Sequence, residues 1–77
     1  MITYFKNQIE MAESLKLKID KYWNMGIDED DLIKYIKQVN ENNFELMFKN
    51  NDYTMAVKQK LGTKRLRLIN KILERQL

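Results

Sequence analysis

The sequence predicts an all-α fold, a small bundle of three to five helices that ends in a basic amphipathic helix. Three observations lead there. Apolar residues recur at spacings of three and four from Thr3 to Trp23, which gathers them on one helical face. A stop signal and a start signal follow in succession, with Gly26 after the first pattern and Asp28 before the second. Finally, residues 58–75 carry seven of the chain's fourteen Lys and Arg residues and a single acid, Glu74. At 77 residues, positions 1–77 form one helical domain with room for a single core. The chain has no cysteine, so disulfides and thiolate metal sites are excluded and stability must come from helix packing or a partner.

The first helix is expected from Thr3 to about Trp23, with Phe5, Ile9, Ala12, Leu15, Ile19, Tyr22 and Trp23 on its buried stripe. Leu17 falls nearly opposite and Met11 lies at the edge, leaving apolar surface for a second contact. Gly26 lacks a Cβ and suits the left-handed position that closes many helices. Asp28 fits the N-cap of a second helix, with Ile27 and Leu32 placed for a hydrophobic staple and Asp30 and Asp31 near the positive end of the dipole. Leu32, Ile33, Ile36 and Val39 form its buried face. Asn40, Glu41, Asn42 and Asn43 then weaken continuation, because asparagine side chains compete for backbone hydrogen bonds, and the helix is expected to end near Asn42.

Phe44, Leu46, Met47 and Phe48 are too densely apolar for a solvent loop. They read as a helical turn or two, since no other segment offers a strand to pair with. Lys49, Asn50, Asn51 and Asp52 make a polar turn, and Tyr53 falls in it. A helix follows around Met55 to Leu61, and the terminal helix starts at Lys64. Gly62 can close the one and Thr63 can cap the other, although a glycine inside one continuous helix costs only about 1 kcal/mol. The expected core is Phe5, Ile9, Leu15, Ile19, Trp23, Leu32, Ile36, Val39, Phe44, Phe48, Leu66, Ile69 and Leu73. Met11, Leu17, Met25 and Met55 are left over, and spare apolar residues on a small core lead to an expectation of a homodimer.

Catalysis is not expected. With no histidine and no cysteine, the usual acid-base group near neutral pH and the most reactive nucleophile are both missing. Ser14 is the only serine and has no imidazole to activate it, and paired carboxylates need an enclosing pocket that so small a bundle rarely forms. The run Asp28, Glu29, Asp30 and Asp31 has the oxygen chemistry of a Ca²⁺ or Mg²⁺ site but not the calcium-loop spacing, and dipole compensation alone explains it. Gly26 and Gly62 stand too far apart for a phosphate-binding loop, so no cofactor is expected. Tyr22 and Trp23 lie at core spacing, whereas Tyr35 and Tyr53 are better placed for a contact surface. No apolar run approaches the roughly 20 residues of a membrane span, and a cytoplasmic protein is expected.

The basic segment is the strongest candidate for a site. At 100° per residue, Lys64, Arg67, Lys71 and Arg75 fall within an arc of about 80° and form a line roughly 16 Å long, opposite Leu66, Leu68, Ile69, Ile72, Leu73 and Leu77. Lys60 joins the line if the helix runs through Gly62 and leaves it if Gly62 breaks the chain; Arg65 falls on the apolar side. Any amphipathic helix needs a solvated outer face, but a face selected for solubility alone usually mixes signs, and Glu74 lies outside this stripe. The helix, Gly, Thr, helix order also invites a helix-turn-helix reading.

The string VKQKLGTKRLRLINKIL, with LMFKNNDYT before it, resembles the C-terminal part of a family of small proteins from clostridia, related low-GC Gram-positive bacteria and their phages. The resemblance implies a host range and carries no activity or site. Two function classes follow from the residues. In one, the chain is a nucleic-acid-binding accessory or regulatory protein whose four stripe bases neutralise phosphates, for which a log-log salt slope of about −3.6 on duplex DNA is expected. In the other, it is an adaptor or inhibitor, for example phage- or plasmid-encoded, that sets the same stripe against an acidic or nucleic-acid-binding protein.

Overall fold

A computed structural model of the chain describes residues 3–74. In chain order it contains α1 (Gln8–Trp23), α2 (Glu29–Asn42), a single turn α3 (Phe44–Met47), a hairpin of β1 (Phe48–Lys49) and β2 (Asp52–Tyr53), and α4 (Met55–Leu73). The three long helices make a small bundle in which α1 packs chiefly on α4. Ion pairs Glu13–Lys60 and Asp20–Arg65 climb both helices in the same direction, so α1 and α4 run parallel, with α2 returning the chain between them.

Helix α1 starts later than its apolar pattern suggested. Asn7 is extended (φ −149°, ψ 169°), and its Oδ1 accepts the Glu10 N–H at 2.9 Å, which caps the helix there. Residues 3–5 instead run beside the end of α2. Asn43 Oδ1 accepts the Phe5 N–H at 3.0 Å, while Asn43 Nδ2 donates to the carbonyls of Thr3 (2.5 Å) and Val39 (2.9 Å). Asn42 Nδ2 adds a bond to Thr3 Oγ1 at 3.0 Å. The asparagines that end α2 where expected thus also hold the N-terminal segment. Burying Asn43 is tolerable because its amide is paired.

At the far end of α1 the left-handed residue is Met25 (φ 62°), one position before the expected Gly26. The Gly26 N–H reaches the Lys21 carbonyl at 2.7 Å and the Met25 N–H reaches that of Tyr22 at 3.0 Å, the pairing of a Schellman motif. Gly26 is needed for closeness rather than for φ: a Cβ there would lie 2.7 Å from Lys21 Cγ and 3.2 Å from its carbonyl oxygen. The start of α2 follows expectation, with Asp28 Oδ1 accepting the Asp31 N–H at 2.9 Å and three acids in the first turn.

The segment after Asn43 is only partly helical. One turn, Phe44–Met47, passes directly into an antiparallel hairpin with Phe48 opposite Tyr53 and Lys49 opposite Asp52. The strand finds its partner two residues away, not in a distant segment. Asn50 (φ 54°) and Asn51 (φ 66°) both take left-handed conformations, as a two-residue hairpin turn requires and as asparagine tolerates. Phe44, Phe48 and Tyr53 stack in sequence at centroid distances of 5.2 and 4.9 Å. Thr54 closes the unit, its N–H bonding the Met47 carbonyl (2.9 Å) and its hydroxyl that of Leu46 (2.7 Å).

Helix α4 is kinked at Gly62, whose φ of 73° and ψ of 173° lie in a region essentially reserved for glycine. Thr63 is already helical, so Gly62 alone separates the two halves. Such an interruption leaves carbonyls without helical partners, and Arg65 Nη1 donates to that of Leu61 at 3.0 Å. A helix-turn-helix needs a turn of about three or four residues. This one-residue break does not provide it.

The core joins Met11, Ala12, Leu15 and Ile19 of α1 to Leu32, Tyr35, Ile36 and Val39 of α2, with Met47, Phe48, Tyr53, Val57, Leu61 and Ile69 completing it. Leu15, Ile19, Leu32, Ile36, Val39, Phe48 and Ile69 are buried as expected, and Phe5, Leu66 and Leu73 pack partly against them. Ile9, Trp23 and Phe44 are about half exposed and do not belong to it. The buried stripe of α1 is centred between Met11 and Ile19, which turns Ile9 aside and draws Met11 in. Met11 is fully buried and unavailable for self-association.

Candidate functional site

The fold sorts the bases of residues 58–75 by which acids lie within reach. On the first half of α4, Lys58 pairs with Asp52 of the hairpin and Lys60 Nζ lies 3.2 Å from Glu13 Oε1 of α1. The ammonium of Lys58 and the backbone N–H of Tyr53 hold the Asp52 carboxyl below its usual range, with slight desolvation opposing them. Arg65, just past the kink, is the most firmly placed of all. Its Nε and Nη2 donate to Asp20 Oδ1 at 2.9 and 2.7 Å, Nη1 donates to Leu61, and the guanidinium sits 5.6 Å over the Trp23 ring.

Lys64, Arg67 and Lys71 are treated differently. All three are exposed, and among the described residues none takes part in an ion pair. They occupy one side of the second half of α4 over about 10 Å. Arg75, the fourth base of the expected stripe, lies outside the described residues. Lys60 is not part of the line: the break at Gly62 detaches the turn that carries it, and its ammonium points to α1.

Two adjoining hollows flank this surface on the hairpin side. One, of about 480 Å³, is lined by Arg67, Thr63, Gly62, Asn70, Lys58 and Asp52. The next, of about 540 Å³, runs from Lys58 and Asp52 to Lys49 and Asn50. Periodicity along one helix does not relate Lys49 to Lys58, because one stands on the hairpin and the other on α4. The sequence signal that could have found them is the Asn-Asn pair, which brings residues 49 and 52 together.

The aromatic candidates move inward. Tyr35 and Tyr53 are both buried. Tyr35 hydrogen-bonds Ser14 through its hydroxyl, and the Tyr53 hydroxyl donates to Asn70 Oδ1. Tyr35 stands three residues after Leu32 and four before Val39, a spacing that already belonged to the buried face of α2. Ser14 is thereby engaged in a packing contact with the Tyr35 hydroxyl. Of the apolar residues left over, Leu17, Met25 and Met55 are exposed at 69, 92 and 68%, but they sit on α1, the α1–α2 loop and the start of α4 and line no common hollow. Among the described residues no three carboxylates gather as a metal ion would require, and no helix is long and apolar enough to cross a membrane.

No curated protein and no solved structure matches the chain. A family whose label points to clostridia matches it over residues 2–74, well beyond the C-terminal string that first suggested such a likeness. The chain belongs to that family, described as conserved hypothetical protein.

Proposed function

We propose that this chain is a non-enzymatic accessory or regulatory protein of a bacterium or mobile element that binds nucleic-acid backbone through Lys64, Arg67 and Lys71, with Arg75 as a fourth base. One observation carries the reading. The bases that lie off the stripe in this segment are each tied to an acid or a carbonyl, whereas the three described stripe bases are exposed and in no ion pair among the described residues. A line of unneutralised bases recruits phosphates by releasing their counterions, which makes binding steep in salt. The three described bases account for a log-log slope of about −2.7 on duplex DNA, and four for about −3.6.

Titration against unrelated duplex and single-stranded DNA at low and moderate salt tests this. Replacement of Lys64, Arg67, Lys71 and Arg75 by Gln abolishes the salt-dependent binding if the surface is the right one. Absence of binding at low salt would overturn the reading and point instead to an acidic protein partner, to be sought by pulldown from a low-GC host.

A further inference from the structure

We infer that the bound polyanion continues past Arg67, turns at Gly62 into the furrow between α4 and the hairpin, and is a single strand of nucleic acid rather than a duplex. This rests on the reading above and extends its surface to Lys58 and Lys49. The two hollows adjoin across Asp52, Tyr53 and Lys58, which line both, so a strand laid over them passes bases at Arg67, Lys58 and Lys49 in turn. Among the described residues Asp52 is the lone acid that lines them.

The shape selects the partner. A duplex is a stiff rod whose phosphates meet a straight stripe, while a concave path that changes direction part-way suits a flexible strand whose backbone follows a basic groove. Gly62 makes the bend, and no atom lies within 4 Å of the position a Cβ would occupy, so the space beside it is open. The one aromatic that lines the furrow, Tyr53, is only 5% exposed. Stacking on bases is therefore not offered, and recognition runs through the backbone and tolerates any sequence. Asp52 competes with phosphate for Lys58, which makes it a brake on binding.

The test uses anisotropy of a labelled oligodeoxythymidine of about 15 nucleotides and a duplex of about 15 base pairs, each over a salt series. The whole chain is expected to prefer the single strand. The double variant Lys49→Gln, Lys58→Gln lowers the single-strand slope by between about 0.7, the share of Lys49, and about 1.4, since Lys58 is already partly neutralised by Asp52, and leaves duplex binding unchanged. Asp52→Asn keeps the oxygen that accepts the Tyr53 N–H (2.7 Å) while removing the charge, and tightens single-strand binding severalfold. Asp30→Asn makes the same charge change on the first turn of α2, near the far end of α4, and is expected to tighten it less. Circular dichroism confirms that each variant is folded. An unchanged slope in the double variant, equal losses on strand and duplex, a preference for duplex, or equal gains from Asp52→Asn and Asp30→Asn each overturn the furrow while the stripe stands. No binding of either probe by the unaltered chain overturns both.

Discussion

The two halves of α4 are both basic and amphipathic and have opposite electrostatic fates. Met55–Leu61 spends its lysines on the neighbouring hairpin and on α1, while residues 63–73 keep three bases exposed and pair only Arg65. The difference lies in the turn of the chain at Gly62, since both halves are amphipathic and both are basic. Before the kink the polar side of the helix faces Glu13 and Asp52; beyond it Lys64, Arg67 and Lys71 make no ion pair among the described residues, although Asp52 lines the hollow beside Arg67 and Glu29 and Glu74 the one beside Lys71. Charge density in a sequence is thus a poor guide to available charge, because a base already neutralised releases few counterions on binding.

The comparison breaks most severely at the kink itself. Gly62→Ala places a Cβ on a residue whose φ and ψ only glycine takes readily, so either the strain persists or the helix straightens and pulls Leu66 and Ile69 from the core. A loss of about 3 kcal/mol in denaturant unfolding is expected. Equal stability would show that the two halves dock independently of the bend. Next comes the joint: Arg65→Lys keeps the charge but cannot bridge Asp20 and the Leu61 carbonyl together, and about 1.5 kcal/mol should be lost in the same assay.

Gln in place of Lys64, Arg67 or Lys71 should move stability by less than about 0.5 kcal/mol per site, since none of these side chains pairs within the described fold. A larger loss would mean that the stripe is structural and would sink the contrast between the halves. The smallest effect belongs to the first half. Because the folded-state pKa of Asp52 is lowered, its pair with Lys58 contributes stability above the usual carboxylate pKa that is lost as pH falls through the lowered value. Thermal unfolding followed between neutral pH and the acid side of that range should show a slight decline that Asp52→Asn removes. Met25→Gly sharpens the loop end of the bundle: it relieves a left-handed methionine whose side chain is 92% exposed, and about 1 kcal/mol of added stability is expected.

Much of the architecture was legible because its signals are local. Asp28 caps α2 through the N–H three residues on, Asn43 follows the last helical residue, and Gly62 interrupts α4, each within a turn of the residues that announce it. What escaped has two causes. One is phase: Tyr35 lies on the same face as Leu32 and Val39 and is buried with them, and Ile9 lies off the buried stripe that runs through Met11 and Leu15. The other is conformation, where a close approach elsewhere in the chain decides which residue turns left-handed. Met25 took the left-handed position beside an available glycine, because Gly26 was needed where a side chain would strike Lys21.

Sequence alone determined the helical class, the Asp28 cap of α2 and the line of Lys64, Arg67 and Lys71, because each depends on periodicity or on hydrogen bonds that span no more than one turn, whereas the choice between a break and a continuous helix at Gly62 stayed open. Only the tertiary structure decided which bases remain available. Glu13 and Lys60 are separated by 47 residues, and Asp20 and Arg65 by 45, so their pairing follows from the packing of α1 on α4 and is written in neither segment by itself.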